Sequence, residues 1–406
     1  MDADYAANRR IANSEQRTVA GATNQLRRVT AGGIGMLETN GRYAADPPGT
    51  VAGEEASLRR APERLLLASV DHPEALTPLA AKSWRGEPHA GVRYARGLDT
   101  LDLYFDRRTG LLTVTVTVAD DPILGDRYTE SWFTRWQETA GVRFARQNDV
   151  YVNGRLNAHL VVTAVTVNPE IADSLFTIPD SIATRAQPAN PVPPPPVVAL
   201  AELASGVWRA EGGSHHSLVV EQPDRLIVVE APQTSRRTQA VLDTLRARFP
   251  GKPVGMVVNT HHHWDHAGGL LAYLAAGIPV VTASGNTAFV RQIGMAVKTV
   301  APDALSRRSR APQAIAVDDS LVIGAGNARV VVYRLPTAHV EGMLAAYLPA
   351  ARIFFTSDVL SPGATLAPAG SKEIVAFVRA RGLAVERVAG GHGGVANWPD
   401  VEQAAQ

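Results

Sequence analysis

Residues 260–269 read Thr-His-His-His-Trp-Asp-His-Ala-Gly-Gly and hold four of the chain's eleven histidines together with an aspartate. Just before them lies an apolar run, 254–258, short enough for a buried parallel strand. Just after them, 267–276 carries Leu270, Leu271 and Leu274 at helical spacing. The cluster therefore occupies a strand-to-helix loop, and in open α/β sheets ligands bind at the carboxyl ends of strands. His261 and His263, two apart, project to one side of an extended segment, while His262 points away. Asp265 and His266 follow one turn later and face a second point, so the spacing suits two metal ions better than one. Neutral imidazole together with carboxylate is the donor set that zinc and similar ions prefer. The run is internal and flanked by structural signals, which sets it apart from an appended histidine tag.

Three isolated residues further along each follow a strand-like run: His339 after 330–335, Asp358 after 353–356, and His392 after 385–389. With the cluster they resemble the ligand series of the metallo-β-lactamase superfamily: a His-x-His-x-Asp-His loop, a single histidine, a bridging aspartate, and a last histidine near a glycine. The resemblance covers 206–398. It implies an α+β chain whose catalytic part is an αββα sandwich. By that resemblance His261, His263 and His339 hold one metal, Asp265, His266 and His392 hold a second, and Asp358 bridges both. A carboxylate suits that last role, because two cations about 3.5–4 Å apart need negative charge between them. One departure stands out: 337–342 reads Thr-Ala-His-Val-Glu-Gly, where many members carry a glycine beside the histidine. The departure bears on the shape of that loop, not on the ligand.

The absence of cysteine removes disulfides, thiolate ligands, cysteine nucleophiles and the lactamase types with a cysteine ligand. Forty basic residues against thirty-nine acidic ones give a net charge of +1. Phosphate recognition needs concentrated Lys and Arg, so nucleic acid is not an expected partner. The short basic clusters at Arg59-Arg60, Arg236-Arg237 and 307–310 read as solvated faces. No apolar stretch reaches the roughly 18 residues of a spanning helix. The first ten residues lack an apolar signal core, so the expected location is cytoplasmic if the chain is complete and periplasmic or secreted if it is a mature form.

A length of 406 residues with 45% hydrophobic and 19% charged content suggests two or three globular domains. Residues 4–29 have helical composition, and 32–53, rich in Gly and Pro, reads as loop or irregular strand. From 83 to 168 the pattern turns to antiparallel strands: 100–105, a turn at 107–110, 111–119, then 128–137 with Trp132, Phe133 and Trp136. A tight hairpin follows at Asn153-Gly154. The series Asp-x-x-Thr-Gly-Leu-Leu, Asp-Pro-Ile-Leu-Gly-Asp and Trp-Gln-Glu-Thr-Ala-Gly-Val-Arg-Phe resembles the curved-sheet domain of periplasmic lipoprotein carriers. Such a domain either holds an apolar ligand in its concavity or buttresses the catalytic unit, and core aromatics favour the second. The proline-rich stretch 186–197 reads as a semi-rigid spacer. It divides an N-terminal antiparallel-sheet domain, 1–185, from a catalytic domain, 198–406, with strands at 207–210, 217–221 and 226–230 and a helix at 236–249.

The expected enzyme is a hydrolase with two Zn2+ per chain, iron or manganese being the alternatives, that attacks an ester, lactone or amide carbonyl of a small molecule, β-lactams included. A metal-bridging hydroxide is the nucleophile the resemblance implies, with Asp265 relaying a proton to the leaving group. The competing readings are a phosphodiesterase or nuclease on the same ligands, an iron-dependent persulfide dioxygenase, and non-enzymatic binding of a lipid-like ligand. His215 and His216, after a Gly-Gly pair, read equally well as a surface hairpin or as a cleft wall, and neither is counted as a metal ligand. With Trp264, Gln233 and 289–300 they are the expected substrate walls, in which Arg291 and Lys298 are the cations available to an anion.

Overall fold

The computed structural model describes residues 2–4, 9–17, 23–121, 123–185, 195–307, 311–363 and 365–406. Most of the proline-rich spacer and residues 308–310 of the last basic cluster lie outside them. The chain divides into two compact units, one of Met1–Val118 with Arg127–Pro194 and one of Ala119–Asp126 with Pro195–Gln406.

The second unit is built on two sheets. A seven-stranded sheet runs in chain order through Ala199–Ala204, Val207–Glu211, Ser217–Glu221, Leu226–Val229, Val254–Val258, Val280–Ala283 and Ala314–Val317. Its first strands pair antiparallel, and from Leu226–Val229 onward they pair parallel. A six-stranded sheet follows through Ser320–Ile323, Val330–Arg334, Leu344–Leu348, Ile353–Phe355, Arg387–Ala389 and Val395–Asn397, with the Ile353–Phe355 and Arg387–Ala389 pair parallel. Alternation along each strand makes the layers. Leu218, Val220, Ile227 and Val229 meet Val330, Val332, Leu344 and Phe355 between the sheets, while Val219 and Val228 turn outward to a second apolar layer. That outer layer is covered by the helices Ser235–Arg248, Leu270–Ala275 and Thr287–Gly294. Pro368–Ala380 and Trp398–Ala404 cover the far face of the other sheet. Strands apolar on both faces give the unbroken Val/Ile/Leu runs of the sequence, and the result is an αββα sandwich.

The first unit is antiparallel but holds two sheets, where the sequence suggests one. The described residues of 4–29 are not helical: Arg9–Arg17 and Thr23–Ala31 pair antiparallel in a five-stranded sheet. Its apolar positions are few, Ile11 pairing with Val29 and Val29 with Met36. Their cover, Phe176 and Ile182, comes from far along the chain, so local composition gave no strand signal. The 32–53 stretch likewise contains the strands Ile34–Thr39 and Arg42–Ala45 and the start of a helix, Pro48–Arg59, with proline at its first position. A second helix, Pro62–Asp71, follows.

The seven-stranded sheet of this unit runs as a meander from Leu76–Trp84 to Arg155–Val161 and closes with the expected hairpin, Asn153 and Gly154 both at positive φ, 46° and 77°. Strands Leu76–Trp84 and Gly125–Thr139 are four apart, which in a flat sheet would separate them by roughly 19 Å. Yet the Trp84 and Trp132 rings meet edge to face with centroids 5.3 Å apart, so the sheet is strongly curled around an aromatic face. Trp132 and Trp136 do not share that face. Arg135 has φ 54°, which interrupts the alternation and turns Trp136 to the opposite side with Phe133 and Leu65.

One ion-pair cluster clamps helix to sheet here: buried Asp99 accepts from Arg59 Nε and from Arg60 Nε, each at 2.7 Å. Burial raises the Asp99 carboxyl, but the two guanidinium hydrogen bonds outweigh it and hold the group below its ordinary value. Asp99→Asn is expected to cost about 1–2 kcal/mol, because each arginine is partly solvated. The wild-type advantage is complete above the unfolded carboxylate pKa and fades as pH falls through the depressed folded value. Chemical denaturation of both proteins between pH 7 and 3 checks this; a constant difference across that range contradicts it.

Candidate metal centre

The ligand-type residues emerge from strand ends. The chain leaves Val254–Val258 into Asn259, Thr260 and His261, leaves Ile353–Phe355 into Thr356, Ser357 and Asp358, and leaves Arg387–Ala389 into Gly390, Gly391 and His392. Two parallel pairs, one in each sheet, thus open at the same edge, where Leu344 N donates to Thr260 O at 2.8 Å and ties sheet to sheet. His339 comes from the loop between Val330–Arg334 and Leu344–Leu348. Asp265 and His266 are held from behind by main chain, with Gln233 N donating to Asp265 O at 2.9 Å and Ala231 N to His266 O at 3.3 Å. This approach needs glycine: a Cβ on Gly268 would lie 2.0 Å from Gln233 O, and one on Gly269 would lie 2.2 Å from Thr238 Oγ1.

Three groups of donor atoms within 4.8 Å of one another result: His261, His263, His339 and Asp358 in one, His215, Asp265, His266 and His392 in another, and a wholly buried third, Glu230, His261 and His266, behind them. Asp358 reaches the first two. Its Oδ2 lies 3.2 Å from His339 Nε2 and 3.8 Å from His261 Nε2, while its Oδ1 lies 2.8 Å from His266 Nε2 and 3.0 Å from His392 Nε2. His261 Nε2 faces His263 Nδ1 at 3.1 Å. His262 is exposed and belongs to none of these groups, its ring 5.4 Å from that of His263 and 6.0 Å from that of Phe289.

The donor chemistry fits divalent cations. His266 Nε2 and Asp358 Oδ1 are both buried, and although only 2.8 Å apart they form no aligned hydrogen bond with each other or any other group among the described residues. Two such atoms side by side point to a shared cation. The far nitrogens of the rings are committed elsewhere. His266 Nδ1 donates to Glu230 Oε2 at 2.7 Å, His392 Nδ1 donates to Ser214 O at 3.1 Å, and His261 Nδ1 lies 3.1 Å from Thr260 Oγ1. Each of these contacts leaves Nε2 as the nitrogen that faces the centre.

Glu230, which the sequence reading passed over, anchors this arrangement. It has no exposed surface, and it accepts from His266 Nδ1, from Thr260 Oγ1 at 2.6 Å and from Ser357 Oγ. Its backbone at φ 84° and that of Ser357 at φ 53° are left-handed, strain of the kind that functional sites hold in place. The only local signal was a carboxylate ending an otherwise apolar run. In the metal-free protein burial lowers the His266 imidazole, but Glu230 and Asp358 outweigh it and raise the group to about 10. Burial drives His261 down to about 3. Burial also raises Asp358, yet the His266 ring beside it wins and leaves the carboxyl at about 2. The two carboxylates thus favour a positive charge on or beside His266, and a cation bound at Nε2 would compete with a proton there.

Other expected residues fall differently. His215 is buried beside Asp265, its Nε2 3.2 Å from Asp265 Oδ2, and its backbone bridges to His392, so the surface-hairpin alternative is set aside. His216 is half-buried, its N donating to Gly391 O at 2.8 Å. Trp264, 60% exposed, is the one large aromatic of the 260–269 loop open to solvent. Lys298 is not an available cation: it is buried, with Nζ 3.2 Å from Asp120 and 3.7 Å from Asp303.

Replacing Glu230 with glutamine removes the charge that fixes the His266 tautomer. Glu230→Gln is expected to weaken metal binding about 10- to 100-fold. Chelator competition measures this, and unchanged affinity in a folded variant rules out the anchoring role.

Residues 210–392 match the family model described as the metallo-beta-lactamase superfamily. No curated protein matches the chain. Among solved structures, a metallo-beta-lactamase from Pontibacter korlensis is 17% identical, with 50% of this chain and 95% of that one covered at a TM-score of 0.41. The metallo-beta-lactamase FIM-1 from Pseudomonas aeruginosa is 18% identical, with 52% and 94% covered at a TM-score of 0.41. It is the segment 210–392, not the whole chain, that matches the metallo-beta-lactamase superfamily, and that match supports an enzyme of the metal-dependent hydrolase fold.

Proposed function

We propose that the protein hydrolyses an ester, lactone or amide, β-lactam amides included, with two divalent metal ions, zinc by the chemistry of the donors. The observation that carries this is Asp358, with one carboxylate oxygen beside His339 and the other beside His266 and His392. When bound, two such ions supply Lewis acidity and an activated water near neutral pH. His261, His263 and His339 would hold one ion, Asp265, His266 and His392 the other, and Asp358 both. The chain does the rest by holding these groups still. Glu230, Thr260 and the Ser214 carbonyl keep the ring protons on the far nitrogens, so the rings meet cations as neutral ligands. Asp265, its side chain partly exposed, would take the proton given up by the attacking water and relay it to a departing amine or alcohol.

The surroundings favour an uncharged carbonyl substrate. Trp264 is open to solvent and Phe289 stands beside His262, while Lys298 is already paired. With Lys298 spent, exposed Arg291 is the one of the two expected rim cations left to a phosphodiester, which would call for more.

Elemental analysis of protein purified without chelator is expected to find two metals per chain, and one or none at full occupancy defeats the two-metal reading. Asp358→Asn should lose one ion preferentially. Activity is best read on a panel of aryl esters, lactones, a chromogenic cephalosporin and an aryl phosphodiester. Loss of His263 to alanine should lower turnover at least about 100-fold, the equivalent of roughly 2.7 kcal/mol of transition-state stabilisation. Turnover of the phosphodiester alone overturns the acyl reading, and turnover indifferent to His263 places the activity elsewhere.

A further inference from the structure

The geometry assigns His215 a role that no ligand motif announces: we propose that it is a positioning residue, donating Nε2–H to Asp265 and setting the orientation of that carboxylate at the metal centre. The proposal rests on the reading of Asp265 as a metal ligand.

The ring is placed by a turn that also serves His392. Gly212 and Gly213 both have positive φ, 144° and 74°, and a Cβ on Gly212 would fall 2.0 Å from Val197 O. The turn delivers Ser214, whose carbonyl accepts from His392 Nδ1, and then His215, whose backbone bridges to His392. The same short segment thus fixes one proposed ligand directly and reaches a second through the His215 side chain.

Hydrogen-bond accounting decides which way that side chain faces electrically. His215 Nδ1 lies 2.8 Å from Ser214 Oγ, and Gln233 Nε2 lies 3.3 Å from Ser214 Oγ and 3.4 Å from His215 Nδ1. An amide nitrogen can only donate, and its nearer neighbour, the serine oxygen, accepts, which leaves the single lone pair of the ring nitrogen to the closer serine hydroxyl. Ser214, accepting from Gln233, is then free to donate its own proton to Nδ1. A neutral imidazole carries one N–H, which is left on Nε2, 3.2 Å from Asp265 Oδ2. Every donor in the chain Gln233, Ser214, His215, Asp265 thereby has an acceptor. The opposite tautomer sets a nitrogen lone pair against a carboxylate oxygen and leaves the serine proton without an acceptor among the described residues. Gln233 is tied to the same unit through its main chain, donating N–H to Asp265 O at 2.9 Å from a left-handed backbone at φ 66°. Side chain and main chain of Asp265 are therefore held from one place. The compactness of His215, Asp265, His266 and His392 also suits direct ligation by His215, which is the outcome the experiment must separate.

The decisive measurement is the tautomer of His215 in the full-length protein, read by long-range 1H–15N correlation with histidine-selective labelling and assigned by the signal missing in His215→Gln. The expected result is Nε2–H in both metal-free and zinc-loaded protein. An Nδ1–H tautomer overturns the proposal. In parallel, zinc affinity is measured by chelator competition. His215→Ala should weaken the second equivalent about 10- to 100-fold without touching the first, and His215→Gln, which keeps an N–H donor, should recover to within about threefold of wild type. The cobalt-substituted His215→Gln protein should keep the wild-type visible spectrum. A glutamine variant no better than alanine, with an altered cobalt spectrum, makes His215 a direct ligand and also overturns the proposal. Should the wild type bind a single metal, the two-metal reading fails, while the tautomer still decides the question for His215.

Discussion

A carboxylate with no exposed surface is costly unless its charge is answered, and Glu230 is answered from three directions at once: by the His266 ring, the Thr260 hydroxyl and the Ser357 hydroxyl. Those partners sit on two loops, one leaving the seven-stranded sheet and one leaving the six-stranded sheet, while Glu230 itself ends the strand Leu226–Val229. If any of the three segments moves, a buried charge loses a partner. The cost of that loss holds the proposed ligands in register, and the left-handed backbone at Glu230 and Ser357 is tolerated because it aims these groups at each other.

The sandwich makes such a meeting possible. Each sheet contributes one parallel pairing whose carboxyl ends open at the shared edge, and the apolar layer between the sheets sets how far apart those ends lie. Close packing leaves little freedom in that distance. Asp358 can therefore present one oxygen to His339 and the other to His266 and His392 only because Ile353–Phe355 is packed against the strands that carry His261 and His266. Gly268 and Gly269 serve the same end, letting the chain behind the cluster approach main-chain and hydroxyl oxygens more closely than any side chain would permit.

Much of this was legible in the order of residues. The runs before His339 and Asp358 were readable as strands because they are largely apolar and buried, and the histidine-rich loop pointed to metal-binding chemistry because few other uses join imidazole and carboxylate so densely. The N-terminal strand pair was not legible. Its apolar positions are sparse, and what makes Arg9–Arg17 and Thr23–Ala31 strands is pairing with each other and cover from Phe176 and Ile182. Trp132 and Trp136 were legible as core aromatics but not as members of two different faces, which a single left-handed residue between them decides. Lys298 looked free and is spent on two aspartates.

By itself the sequence determined which atoms are available to a metal and in what order they leave their strands, since side-chain chemistry and strand periodicity are local properties. Only the tertiary structure decided that Glu230 stands behind His266, that His215 faces Asp265, and that the two oxygens of Asp358 part toward different groups. A hydrogen bond exists or fails over a few tenths of an ångström. Between loops of separate sheets, that margin is set by how the sheets pack and not by any stretch of chain read alone.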